Sequence, residues 1–423
     1  MPLARVSRIA YVSLHPARPE TAGRNLLFTQ SVGGRDKNLN GFVSQGMRRM
    51  GMAGTKPVIW RNVVILGVTP IAALILVPYY GMTVGFDVFE WMSFVVALML
   101  TGFSITAGYH RLWSHRTYDA HPVVRLLFVL FGSAGLENSV LAWSSDHRRH
   151  HRHTDDNEKD PYSAKRGFWY SHIGWILREY NNPPRDFSNV RDLERDPILR
   201  WQDKHYLAIA LAMNIALPFA IGWMHGKLWG VFLLAVLLRI VVNHHLTFLI
   251  NSLAHFWGRQ PYSDANTARD NALLAFFTYG EGYHNYHHQF QWDYRNGIRW
   301  WQFDPSKWLI RFLSLVGLAK NLRLSQREQV EKALLDRQLQ MALSRAAARP
   351  DGEAVRAYIQ KTYDNIVKGW NDWAEIKQHW MKAKRERMGR TWEEIELKMK
   401  KVDLKLRLKS EQSQWRILLS ELP

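Results

Sequence analysis

The sequence predicts an all-α integral membrane protein, with four transmembrane helices, a cytosolic helical cap carrying clustered histidines, and a charged helical C-terminal extension. Three observations predict it. Four apolar runs each approach the ~20 residues needed to cross a bilayer. Three dense histidine groups lie beside those runs. Past about Leu318 the apolar character gives way to charged, helix-forming sequence.

Residues 1–56 read as a basic tail, with nine Lys or Arg against two acidic residues. Arg5, Arg8, Arg18 and Arg24 interrupt its apolar stretches, so it lacks the apolar core of a secretory signal. Residues 1–45 are expected to be a disordered tail, a transit segment or an incorrectly chosen start, since Met47, Met50 and Met52 follow closely. The membrane unit, 57–320, opens with a span over Val58–Tyr80 and a second over Val88–Ala107. The second is the cleanest, because Trp91 to Ala107 contains no charge. The shorter run Val123–Gly135, with Arg125 inside it, predicts a buried or interfacial helix and not a span. Spans three and four fall over Tyr206–Trp223 and Leu228–Ile250. Arg239, Asn243, His244 and His245 interrupt the fourth and should face protein or a polar cavity, since they are costly against lipid.

Residues 321–423 form the extension, with roughly three charged helices expected. Ser325-Gln-Arg-Glu328 and Thr391-Trp-Glu-Glu394 have the capping-box pattern, and Pro350-Asp351-Gly352 breaks the helical stretch between them. Val330, Leu334, Leu335, Leu339 and Leu343 recur at helical spacing and predict packing.

The net charge of +19 is concentrated in the flanks, about +7 in residues 1–56 and +7 in 321–423. Basic flanks around an even number of spans put both termini in the cytoplasm by the positive-inside rule. Gly81–Asp87 has no Lys or Arg and fits the opposite side. All the histidine groups then share the cytoplasmic face. Anionic lipid or an acidic protein is the expected counter-charge, and no nucleic-acid partner is expected. The chain has no cysteine, which excludes disulfides and thiolate-held iron–sulfur centres within it. Neither a dinucleotide loop nor a haem-binding signature is present.

The histidine groups are His110-Arg-Leu-Trp-Ser-His115, His147-Arg-Arg-His150-His151 and His284-Asn-Tyr-His287-His288. Eight histidines exceed what one tetrahedral zinc requires, and two metals account for them economically. Imidazole suits iron, copper, nickel and zinc alike. The i, i+3, i+4 spacing of the second and third groups converges each on one helical face. His110 and His115 are about 140° apart on a regular helix and converge only where the helix ends or loosens. Asn251 and His255 are i, i+4 beyond span four and offer a ninth histidine. His121, His153 and His172 read as structural or solvent-facing. Asp146, Asp155, Asp156 and Glu281 are candidate acceptors for the distal imidazole N–H, with surface solvation the expected role of Asp155 and Asp156.

These groups, Asn251-Ser-Leu-Ala-His255, Gly280-Glu-Gly-Tyr-His284 and the four-span layout together resemble the membrane fatty acyl desaturases, in the Δ9 acyl-CoA branch. The resemblance runs from about Pro57 to Phe303. Ser145-Asp-His-Arg-Arg-His-His151 and Gln291-Trp-Asp-Tyr-Arg-Asn-Gly297 look closer to bacterial members, which implies a bacterial inner membrane in preference to endoplasmic reticulum. The resemblance implies two irons. His110, His115, His147, His151 and His287 would hold one. His150, His255, His284 and His288 would hold the other, with Asn251 beside it through water. It further implies an O2-dependent desaturase that forms a cis double bond in a saturated acyl chain, fed by a separate electron-donor protein and its reductase.

Asn138 and Asp146 match headgroup contacts of the family, and Phe248 stands where a tryptophan contact is found. Ser145, Glu179 and Tyr180 depart from the vertebrate pattern. Lys165, Arg178 and Arg185 are replacement cations on this reading. Acyl-CoA is the expected substrate, with acyl-phospholipid and acyl carrier protein as the alternative carriers. A lipid hydroxylase or ketolase on the same framework, and a non-catalytic membrane protein that binds partners, are the rival readings.

Overall fold

The computed structural model describes residues 56–179, 186–385 and 392–422, all within one compact unit that begins at Lys56. The N-terminal tail, Thr391, Tyr180 and Arg185 therefore lie outside the described residues. Four helices are long and apolar enough to cross a membrane: α1, Trp60–Thr83; α2, Val88–Ser114; α5, Pro197–His225; and α6, Leu228–Phe256. The protein is a multi-pass membrane protein. Between α2 and α5 lie α3, Pro122–Ala134, and α4, Val140–His153. After α6 come α7, Ala272–Phe277; α8, His284–Gln289; and α9, Pro305–Leu315. The chain ends in α10, Arg327–Ala346; α11, Gly352–Arg385; and α12, Trp392–Glu421.

Each span is longer than its apolar run predicts. Helix α2 starts at a capping box, where Glu90 N donates to Asp87 Oδ1 at 3.0 Å and Asp87 N to Glu90 Oε2 at 2.7 Å. It continues past Ala107 as a π-wound stretch, Ser104–Ser114. Helix α5 begins at Pro197, capped by Asp196, and kinks at His205 just where the apolar run begins. Only 6% of the apolar stretch of α1 is buried within the protein, against 50% of that of α6. Helix α1 thus turns most of its apolar surface outward, while α6 is the central strut.

Arg239, Asn243 and His244 of α6 face protein. Arg239 donates to the carbonyls of Ala134 and Ala235 and to Asn214. Asn243 donates to Glu137 and His244 bonds the Gly135 carbonyl. His245, exposed, meets His172 at 3.1 Å. Helix α3 lies half-buried as expected: Val124, Phe128 and Val129 point inward while Val123, Leu126 and Leu127 are exposed. At Gly102 of α2 a Cβ would lie 2.2 Å from the Tyr279 ring. The missing side chain lets the loop before α8 close against the span.

A two-stranded antiparallel ribbon pairs Asp119 with Lys320 and Ala120 with Ala319, joining the exit of α2 to the end of α9. The expected extension of three helices is present, with the break at 347–351. They share a core of Leu335, Ala342, Ile359, Ile366 and Trp415. The first capping box does not form. Helix α10 starts at Arg327 with Gln326 at its N-cap and no side-chain cap, because the Ser325 N–H is already taken by Asp293 at 2.8 Å.

Candidate metal centre

Four separate pieces of chain deliver the histidines. The π winding of α2 decides the first: His115 N–H reaches the His110 carbonyl at 3.1 Å, an i→i+5 bond that turns both rings the same way. Their centroids are 4.8 Å apart. Helix α4 supplies His147, His150 and His151 on one face. Arg148, on another face, clamps α4 to the end of α2 by donating to the carbonyls of Trp113 and Ser114. Helix α6 supplies His255 in its last turn, after a break at Ser252. Helix α8 is one short helix whose first, fourth and fifth residues are His284, His287 and His288.

Two clusters result. Ring nitrogens of His110, His115, His147, His151 and His287 lie within 4.8 Å of one another, and so do those of His150, His255, His284 and His288. All nine expected histidines are brought together in the two groups expected for two irons. In the first, Nε2–Nε2 distances are 2.8 Å for His115–His147 and 3.0 Å for both His110–His287 and His151–His287. In the second, His284 Nε2 is 3.1 Å from both His255 and His288.

The outer nitrogens settle what the inner ones present. Burial alone would raise the Glu281 carboxyl, yet the Arg111 guanidinium and His110 hold it down to about 2. It is therefore an acceptor, and His110 Nδ1, 2.9 Å away, carries the proton. His150 Nδ1 meets Asp160 at 2.9 Å. His255 Nδ1 meets Thr267 at 2.8 Å, whose hydroxyl donates to Asp155. His147 Nδ1 faces the Tyr162 hydroxyl at 3.2 Å. Rings whose Nδ1 carries the proton turn a bare Nε2 lone pair inward, the form in which imidazole binds metal. Burial, reinforced by neighbouring imidazoles, pushes His115, His147, His151, His287 and His288 well below their ordinary value. His284 is lowered to about 3 by the same burial. Neutral nitrogen donors converging at such short distances fit cations, and an all-nitrogen set fits borderline transition metals better than Mg²⁺ or Ca²⁺.

A model of the fatty acid desaturase family matches residues 89–312. The chain belongs to this family. Over 280 residues it is 41% identical to acyl-CoA desaturase 1 of Saccharomyces cerevisiae, covering 66% of this chain and 54% of the relative. A probable acyl-CoA desaturase of Schizosaccharomyces pombe is 41% identical, over 69% of this chain and 60% of its own length. Stearoyl-CoA desaturase 5 of Homo sapiens is 34% identical, over 68% and 87%. The chain thus spans little more than half the length of the two yeast proteins.

In this desaturase-family chain the remaining candidates scatter. Asn251 is half-buried at the end of the regular part of α6, and the break at Ser252 separates it from His255. Asn138 is exposed at positive φ, its N–H bonded to the Tyr206 hydroxyl. Phe248 is buried, stacked on His244 with centroids 5.6 Å apart. Asp146 pairs with Arg149 at 3.5 Å and, among the described residues, accepts from no imidazole, and burial raises it to about 6 against the pull of Arg149. Arg178 donates to the Lys56 carbonyl, and Lys165 is exposed on a short turn. One assignment changes: Asp155 is a buried support for Thr267 and not a surface carboxylate, whereas Asp156 stays at the surface, where it caps a turn by accepting from Glu158 N. His172 is structural as read, bonded to Ser252 and His245. Trp143 stacks on His147 one turn along α4. Asp160, Thr267 and Tyr162 carry no spacing signal and reach their imidazoles only through the fold.

Proposed function

We propose that this protein is an O2-dependent fatty acyl desaturase that forms a cis double bond, at Δ9, in a saturated acyl chain carried as the CoA thioester. The observation that carries the proposal is the convergence of nine imidazoles into two adjacent clusters. Two irons, held by the five-histidine and the four-histidine cluster, supply O2 activation when bound, which zinc does not, having no redox chemistry. Two hydrogens leave neighbouring methylenes, O2 is reduced to two waters, and two further electrons and protons balance the reaction. On this reading those electrons come from a separate donor protein with its reductase.

The chain's own residues set up the chemistry. Glu281, Asp160 and Thr267 hold the Nδ1 protons of His110, His150 and His255, so that each Nε2 stays free for metal. Trp143, stacked on His147, and the buried Tyr162, stacked on His150, exclude water. Asn251 would serve the four-histidine cluster through a water on this reading. Asn138, Asp146 and Phe248 contact the substrate. With an even number of spans and basic flanks, both termini and the clusters face the cytoplasm.

The names of the relatives support acyl-CoA as the carrier. Lipid analysis of cells expressing the chain tests the proposal. Cis-9 unsaturated acyl chains, traced to the acyl-CoA pool, are expected. A hydroxylated or keto product in their place would assign the framework to the rival oxidation, and no product at all would refute the desaturase reading.

A further inference from the structure

Helix α8 is six residues long and bears three of the nine clustered histidines. A helix that short cannot hold itself in water, so its orientation must come from packing. His284, His287 and His288 face the clusters, while Asn285, Tyr286 and Phe290 turn the other way. Asn285 pins the preceding loop, accepting from Tyr262 N at 2.9 Å and donating to the Ser263 and Ala268 carbonyls at 2.7 and 2.9 Å. Tyr286, 1% exposed, donates its hydroxyl to Asp293 Oδ2 at 2.8 Å.

The same Asp293 oxygen accepts the Ser325 N–H at 2.8 Å, at the entrance to α10. Val330 of α10 packs on Tyr286 and Phe290, and Arg337, two turns on, donates to the Gln260 carbonyl and to Asp264. Ser325, Val330 and Arg337 all lie beyond residue 312, where the family match ends.

We infer that the C-terminal extension positions the third histidine group: Asp293 and Val330 are positioning residues that fix α8 from behind, and metal retention depends on them. The inference rests on the two-iron reading of the clusters. Helix α8 gives two of the four imidazoles of one cluster, His284 and His288, but only His287 of the five in the other. Loosening α8 should therefore empty the four-histidine cluster first. That selectivity separates positioning from general destabilisation.

The test is anaerobic titration of Fe²⁺ alone into metal-free, full-length protein in detergent, with helicity and melting temperature recorded in parallel. Wild type should take up two equivalents. Asp293→Ala and Val330→Ala should retain the first and bind the second ~10- to 100-fold more weakly, the range for losing support behind a ligand. Ile366→Ala, in the extension's own core, should melt lower yet keep both. Unchanged uptake by folded Asp293→Ala overturns the inference, and if that variant does not fold, Val330→Ala decides by the same criterion. Equal loss in Ile366→Ala overturns it too, by showing that any destabilisation suffices. Wild type that takes up no iron would instead refute the two-iron reading on which the inference stands.

Discussion

Glu281 lies 2.9 Å from His110 Nδ1, and Arg111, the next residue along α2, donates to the other Glu281 oxygen at 2.9 Å. One buried carboxylate thus orients an imidazole while its charge is neutralised by the neighbour of that imidazole. Asn296 closes the arrangement by donating to Glu281 Oε2. Glu281→Gln keeps the shape and removes the charge. It should weaken metal retention ~10- to 100-fold, as expected for the partner behind a ligating imidazole. Metal content after stepwise chelator challenge measures it, and unchanged retention would exclude this role for Glu281.

Replacing His147 or His287 with Ala should abolish unsaturated product while the protein still inserts in membrane. Each ring lies in the five-histidine cluster, and the second also stands 3.0 Å from rings of two other elements, His110 and His151. Fatty acid profiles alongside membrane fractionation check this. Full activity in either variant would remove that residue from the site.

Glu137 accepts from Trp143, Asn243 and Thr247 without a cation beside it. Burial therefore raises its carboxyl to about 7. A raised folded-state value means that the folded protein binds more protons than the unfolded one between the ordinary carboxyl range and about 7. Its contribution is full below the ordinary value and is lost as pH rises through the folded one. The melting temperature of wild type relative to Glu137→Gln should accordingly be higher at pH 5 than at pH 8. A difference independent of pH would show that Glu137 ionises freely.

At Gly102 any side chain meets the Tyr279 ring. Gly102→Leu should push the loop that leads into α8 away from α2 and destabilise the fold by roughly 1–3 kcal/mol or more, the usual cost of overpacking. Denaturation of the purified variant measures it. Wild-type stability would mean that Tyr279 has room to move aside.

What was legible in the chain follows from how local each signal is. The spans showed because lipid demands a run of apolar residues, and α4 and α8 showed because i, i+3, i+4 spacing puts histidines on one face. Composition does not mark where a helix stops: α2 runs on beyond Ala107 through buried residues, and α5 begins at Pro197 among polar ones. That His110 and His115 converge required loosened winding, which their spacing implied. The π form itself, set by the His115–His110 bond, was not legible. Asp160 and Thr267 could not be found, since each meets its imidazole across a fold of the chain. The pattern at Ser325 misled because a distant carboxylate, Asp293, competes for the same backbone N–H.

Iron content of purified protein prepared with anaerobic iron supply tests the two-metal site itself. Two irons per chain are expected, one for each imidazole cluster. Iron that is absent, or well below two per chain with the fold intact, would contradict the two-metal site.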